Sequence, residues 1–318
     1  MKLLIRSLLL LLGALVFFAL AGVFAVWAPD KPVDALKARW AGPPSQFIQI
    51  DGLLVHLRDE GPRDDPLPVL LLHGTSDSLH TWDGWSEALR VRRRVIRFDL
   101  AGFGLTGPDP DNNYAIERYV RQVRAVMDHL GVERVVLGGN SLGGQIAWSA
   151  AWAMPQRVAQ LVLVDAGGYA VAPQQIPLAL RLARIPELRP VLEHLLPRGL
   201  VLASVRNVYG DPAKVTPDLV DRYYDMALRA GNRRALGYRM DAGFADGSER
   251  IRTLAMPTLV LWGGRDRLIP VVSGRQFARD VARSSLVVFD DLGHLPHQED
   301  PQRTVRELQR FLGGGWVN

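Results

Sequence analysis

The 318-residue chain has no cysteine and only four lysines, Lys2, Lys31, Lys37 and Lys214. Without cysteine there is no disulfide framework, no zinc finger and no thiol nucleophile. The redox compartment stays open, and any nucleophilic chemistry passes to a hydroxyl or a carboxylate. With lysine so scarce, arginine supplies the basic charge: 38 Lys+Arg stand against 33 Asp+Glu, a net +5. That bias reads as a compositional habit, not as a nucleic-acid-binding stripe. Residues 1–28 hold two basic residues and no acidic ones, so the remainder carries 36 against 33, a net +3. Internal repeats and low-complexity tracts are also missing. A 48% hydrophobic and 22% charged composition excludes a disordered chain and fits a substantial core.

One long uncharged run is present. Ser7–Ala28, SLLLLLGALVFFALAGVFAVWA, follows Lys2 and Arg6 and precedes Pro29 and Asp30. At 1.5 Å per residue it reaches about 33 Å, enough to cross a hydrocarbon core of roughly 30 Å. It is longer than the apolar region of a secretory signal, and it lacks the polar face of a soluble core helix. Residues 1–28 are therefore expected to form an N-terminal membrane anchor. A cleaved signal with a site at Ala19-Leu20-Ala21 is the competing reading. The short basic stub points to an N-in orientation, with the bulk of the chain outside the cytoplasm.

After a linker over 29–45, strands and helices alternate from Gln46. Gln46–Ile50 and Leu53–Arg58 flank Asp51-Gly52, a hairpin-turn pair. Val69–Leu72, Arg94–Phe98, Arg134–Leu137, Leu161–Val164, Thr258–Trp262 and Ser285–Phe289 are short apolar runs of the kind buried parallel strands show. Ile116, Tyr119, Val120, Val123, Met127 and Leu130 fall at helical spacing, with Gly131 as the stop. Further helices follow from Leu142 to near Pro155 and around Thr304–Leu312. This alternation predicts an α/β domain over 46–312 with a parallel sheet covered on both faces. Ninety-one residues separate Asp165 from Pro257, several times what one crossover needs. The segment 168–250 is expected to be a helical lid at the carboxyl edge of the sheet. Its Leu178, Leu180, Leu182, Leu192 and Leu196 suit an apolar substrate.

The sharpest motif is Gly138-Gly139-Asn140-Ser141-Leu142-Gly143-Gly144, set between a strand and a helix. Glycines two positions either side of a serine permit a tight turn that lifts the hydroxyl out of the sheet. Such a serine needs a base and an orienting acid. His294, after the last strand in LGHLP, is the candidate base, with His297 its main competitor. Asp266, after the strand TLVLWGG, is the candidate acid, and Asp165 the runner-up. The N–H groups of Thr75 and Leu142 are placed to form an oxyanion hole. His73 reads as loop-shaping, and His56, His129 and His194 as structural or exposed.

Gly102-x-Gly104-x-x-Gly107 matches a dinucleotide-binding fingerprint by letter. Pro108 and Pro110 follow it where a helix should open, so it reads as a loop. HExxH, a Walker lysine and a Cys/His ligand set are all missing, and the sequence implies no metal and no other cofactor.

HGTSDSLHTWDGW, RFDLAGFGLTG, GGNSLGG, PTLVLWGGRDRLIP and LGHLPHQEDP together resemble the α/β-hydrolase superfamily, in register from about Phe47 to Phe311. The likeness is nearest its lidded branch of esterases, lipases and carbon–carbon hydrolases. The resemblance implies an eight-stranded, mostly parallel sheet. It carries Ser141, Asp266 and His294 into the triad and Thr75 and Leu142 into the oxyanion hole. Branch members with an aspartate nucleophile are disfavoured by Ser141, and the loop HGTSDS departs from the glycine-rich loop of carbon–carbon hydrolases. The expectation is a serine hydrolase acting on an apolar small-molecule ester. A carbon–carbon hydrolase and a non-catalytic ligand-binding protein of the same fold are the alternatives.

Overall fold

The computed structural model describes residues 2–170, 181–182, 184–243 and 246–314. Leu178 and Leu180 of the expected lid lie outside the described residues. Eight strands form one sheet: β1 (Gln46–Ile50), β2 (Leu53–Glu60), β3 (Val69–Leu72), β4 (Val95–Phe98), β5 (Val135–Asn140), β6 (Val158–Val164), β7 (Thr258–Gly263) and β8 (Ser284–Phe289). Their order is β1-β2-β4-β3-β5-β6-β7-β8. Only the β1–β2 and β2–β4 pairings are antiparallel; the other five are parallel.

The continuous apolar runs of the central strands have a direct cause. Side chains alternate across a sheet, so a strand covered on both faces must be apolar at every position. Leu70 and Leu72 of β3 pack into one core with Phe98, Leu137, Tyr119, Val123 and Ile146. Their neighbours Val69 and Leu71 pack into the other with Val95, Trp85, Val305 and Leu308. The first face is closed by helices α4 (Ile116–His129) and α5 (Leu142–Ala153), the second by α3 (Asp83–Leu89) and α10 (Pro301–Leu312). Helix α9 (Val271–Asp280) bridges β7 and β8, with Phe277 on the first face.

Helices α6 (Arg198–Val208), α7 (Pro217–Leu228) and α8 (Asn232–Asp241) stand in the interval between β6 and β7. The N-terminal helix α1 (Lys2–Val26) contains one 18-residue window, Leu9–Val26, long and apolar enough to cross a membrane. The segment read from the sequence as a linker contains a short helix, α2 (Val33–Trp40), and is fastened to the helical insertion. Just before it, at the end of the segment read as the anchor, Leu196 N–H donates to Val26 O at 3.1 Å and Ala28 N–H to His194 O at 2.8 Å. Further on, Asp225 of α7 accepts from Lys31 Nζ at 2.7 Å and Trp40 Nε1 at 2.9 Å. Leu36 is buried with Met226 and Leu105. No local pattern announces these contacts, because their partners lie far along the chain, 194 positions away for Lys31 and Asp225 and 185 for Trp40 and Asp225.

Gly102, Gly104 and Gly107 all have positive φ in a loop, and α4 begins only at Ile116. A Cβ at Gly104 would meet the Asp99 carboxyl at 2.1–2.6 Å. These glycines serve a folded turn, as expected, and open no helix.

Candidate active site

Ser141 follows β5 directly and opens α5 with φ 54 and ψ −116, a region that non-glycine residues enter only at a cost of about 1–3 kcal/mol. The surrounding glycines explain how that turn is accommodated. A Cβ at Gly139 would stand 2.2 Å from Gly143 O, and one at Gly143 only 2.2 Å from Leu72 O. At Gly144 it would lie 2.4 Å from Ala166 Cβ. Backbone on backbone leaves no room for a side chain, so the strand–turn–helix closes only with glycine there. Ser141 N–H donates to Val164 O at 3.1 Å and its carbonyl accepts from Gly167 N–H at 3.0 Å. These bonds pin the elbow to the end of β6.

His294 and Asp266 come together from the loops after β8 and β7. The ring Nδ1 and Asp266 Oδ2 are 2.7 Å apart, and both residues are buried. The other carboxylate oxygen accepts from Leu268 N–H at 2.7 Å and Ile269 N–H at 3.0 Å. Asp266 is thus held at both ends, and Nδ1 is engaged, leaving Nε2 as the ring nitrogen outside this bond. His294 is held through its backbone too, donating N–H to Val208 O of α6 at 2.7 Å.

Thr75, Ser141, Leu142 and His294 all line one cavity of about 310 Å³. Asp266 stands behind the histidine and does not line it. Gly74 brings the Thr75 loop close: a Cβ there would sit 3.2 Å from Ser141 Cβ. The rest of the wall is mostly apolar, with Leu200, Val201, Val205 and Val208 from α6 and Leu268, Ile269 and Leu295 from the acid and base loops. The arrangement sets a serine hydroxyl and an acid-paired imidazole on the wall of one mostly apolar cavity, the parts that activation of a hydroxyl requires.

The competing histidines have other work. His297 is fully buried, stacks on Trp82 at 4.0 Å and bonds Thr81 Oγ1 through Nε2 at 2.9 Å. His73 accepts Leu100 N–H at 2.9 Å and shapes its loop. Burial, with the neighbouring His294 adding to it, holds the His297 ring well below the ordinary histidine range. The folded ring therefore stays neutral while the unfolded chain protonates below about pH 6.5. Stability should fall as pH drops below that value. Thermal midpoints measured from pH 7 to pH 5 should decline less steeply in His297→Phe than in the wild type. Equal slopes would remove His297 from the acid sensitivity.

Two supporting residues carry no assignment from the sequence. Asn140 Nδ2 donates to His294 O at 3.0 Å and to Val164 O at 3.1 Å, tying the nucleophile's neighbour to the histidine loop. Glu299 accepts from Gly210, Asp211 and Gly293 N–H groups at 2.8–2.9 Å, joining the helical insertion to the same loop. Asn140 lies inside the GGNSLGG motif, which is its only signal, and Glu299 in LGHLPHQEDP.

A profile of the alpha/beta hydrolase fold family matches residues 68–301. The 2-hydroxymuconate semialdehyde hydrolase of Pseudomonas sp. strain CF600 is 28% identical over 271 residues, covering 82% of this chain and 91% of the relative. Among solved structures, a thermophilic esterase from Thermogutta terrifontis superposes with a TM-score of 0.72 at 27% identity, covering 86% of this chain and all of that one (100%). A membrane phospholipase A, described as a bacterial virulence factor, matches 99% of both chains with a TM-score of 0.73 and 26% identity.

Proposed function

Since the chain belongs to the alpha/beta hydrolase fold family, we propose that it is a serine hydrolase cleaving carboxylic esters of apolar substrates through an acyl-enzyme. The observation that carries this reading is the shared cavity of about 310 Å³, in which Ser141 and His294 meet the Thr75 loop and the apolar face of α6.

In the proposed mechanism, His294 Nε2 takes the proton from Ser141 Oγ as the oxygen attacks the ester carbonyl. The Thr75 and Leu142 N–H groups hold the oxyanion, each contributing about 3 kcal/mol to the transition state. Asp266 steadies the imidazolium. His294 then returns the proton to the leaving alcohol and activates the water that releases the acid. The α6 wall, as a lid, holds the acyl or alcohol chain. Helix α1 acts as the membrane anchor with the catalytic domain outside the cytoplasm; the match of a membrane phospholipase A over 99% of both chains supports this.

Carbon–carbon hydrolysis is the second reading, favoured by the 28% identical semialdehyde hydrolase. A panel of p-nitrophenyl esters of graded chain length, run beside a vinylogous diketone ring-cleavage product, separates the two. The ester reading predicts kcat/KM at least about 100-fold higher on the best ester. A preference for the diketone would replace it with the carbon–carbon reading.

A further inference from the structure

Asp165, immediately after β6, is a second acid beside the triad that the mechanism above leaves unused. Its side chain is completely buried and its backbone holds φ +44, in the left-handed region. Oδ1 accepts Gly263 N–H from β7 at 2.9 Å. Oδ2 has no donor among the described residues. One atom each of Asp165, Asp266 and His294 lie within 4.8 Å of one another.

A cation does not explain this cluster, because Nδ1 of His294 is already bound to Asp266 and two backbone N–H groups fill Asp266 Oδ1. Two ionised carboxylates this close, and away from water, repel strongly, so one of them keeps a proton. Asp266 accepts from three N–H groups, whereas Asp165 accepts from one. Hydrogen bonds to the anion therefore favour charge on Asp266 and the proton on Asp165. Burial first, then the Asp266 charge, pushes the Asp165 carboxyl well above the usual carboxylate range, and Glu299 acts in the same direction.

We propose that Asp165 is the reserve acid of the triad: a positioning residue, neutral beside Asp266, that ionises and supplies the charge facing His294 once Asp266 is neutralised. The topology allows this because β6 and β7 are adjacent and parallel, so the segment after each delivers a carboxyl to the same histidine loop. In Asp266→Asn the amide keeps the shape and removes the charge. The repulsion from Asp266 goes with it while the burial remains, so Asp165 gives up its proton more readily and, once ionised, stabilises the imidazolium formed during acyl transfer.

The test is a double-mutant cycle on the full-length protein with the best ester of the panel. Losing the acid of a triad costs about 10⁴-fold in kcat where nothing replaces it. Here Asp266→Asn should keep kcat within about 100-fold of wild type, and adding Asp165→Asn should cost at least about 100-fold more. Asp165→Asn alone should cost a much smaller factor than it does in the Asp266→Asn background. The Asp266→Asn variant should also show a new acidic limb, kcat rising with pH as Asp165 ionises beside His294 and Glu299. That limb should vanish in the double variant. If Asp165→Asn costs the same factor in both backgrounds, or the acidic limb survives it, the proposal is overturned. Asp165→Ser, smaller and equally uncharged, gives the same cycle if the asparagine variant does not fold. The proposal rests on the serine-triad reading, and the two fail differently. An active Ser141→Ala variant removes that reading, whereas an additive cycle with Ser141→Ala inactive removes only the reserve acid.

Discussion

Ser141→Ala is expected to lower kcat by about 10⁴–10⁶ while leaving the protein folded and KM within a few-fold. In the proposed mechanism the hydroxyl is the atom that bonds to substrate, and the chain has no cysteine to stand in for it. Alanine removes one oxygen at the mouth of a cavity of about 310 Å³, so packing beneath the elbow is untouched. His294→Ala should cost a similar factor, and the two losses should not add. Once the nucleophile is gone the base has no proton to take, and residual turnover comes from the oxyanion N–H groups and binding alone. A Ser141→Ala/His294→Ala double variant as slow as either single one is the signature of a unit. Steady-state kinetics on a p-nitrophenyl ester, with thermal melts as the folding control, measures all three.

How much of this site is readable from sequence follows from how each residue is placed. Ser141 announces itself because its turn demands glycine at fixed offsets, and Gly139 and Gly143 leave a local record of that demand. Asp266 and His294 are readable by topology: each follows a strand end, and strand ends converge at one edge of a parallel sheet. The strands themselves are legible within one to three residues at each end, because burial on both faces writes uninterrupted apolar runs. Contacts that span the chain leave no such record. The bond from Asn140 to the His294 carbonyl links residues 154 apart, and Asp165 meets Asp266 only after β6 and β7 pair. Helix α2 reads as linker because eight residues with three charges carry little periodicity. It is held by Asp225 and Met226, far along the chain.

Gly143→Ala is the second large effect, and it falls on the fold as well as on activity. The added Cβ would stand 2.2 Å from Leu72 O and 2.5 Å from His73 O. Both are backbone atoms at the end of β3, so no side chain can swing away to relieve the contact. Either α5 moves outward or the end of β3 retreats, and the loop bearing Thr75 goes with β3. An overpacked site of this kind costs about 3 kcal/mol or more, and the Leu142 N–H, one residue before the substitution, loses the position that the proposed oxyanion hole requires of it. The thermal midpoint should fall by about 6–12 °C, and kcat should drop by at least about 100-fold in whatever fraction remains folded. Gly131→Ala is the contrasting control. That glycine has φ +63 but nothing within 4 Å of an added Cβ, so only backbone strain of about 1–2 kcal/mol is introduced. A midpoint for Gly143→Ala no lower than that of Gly131→Ala would show that the crowding at the elbow is not what fixes its sequence.

Covalent trapping decides whether Ser141 is a nucleophile activated by His294 and Asp266. A fluorophosphonate probe reacts with an activated serine hydroxyl and not with an idle one. Incubation of the intact, full-length protein followed by peptide mass analysis should place a single phosphonyl adduct on Ser141. The adduct should be absent in Ser141→Ala and formed far more slowly in His294→Ala. A folded wild-type protein that stays unlabelled, or that carries the adduct on another residue, would mean that Ser141 is not an activated nucleophile.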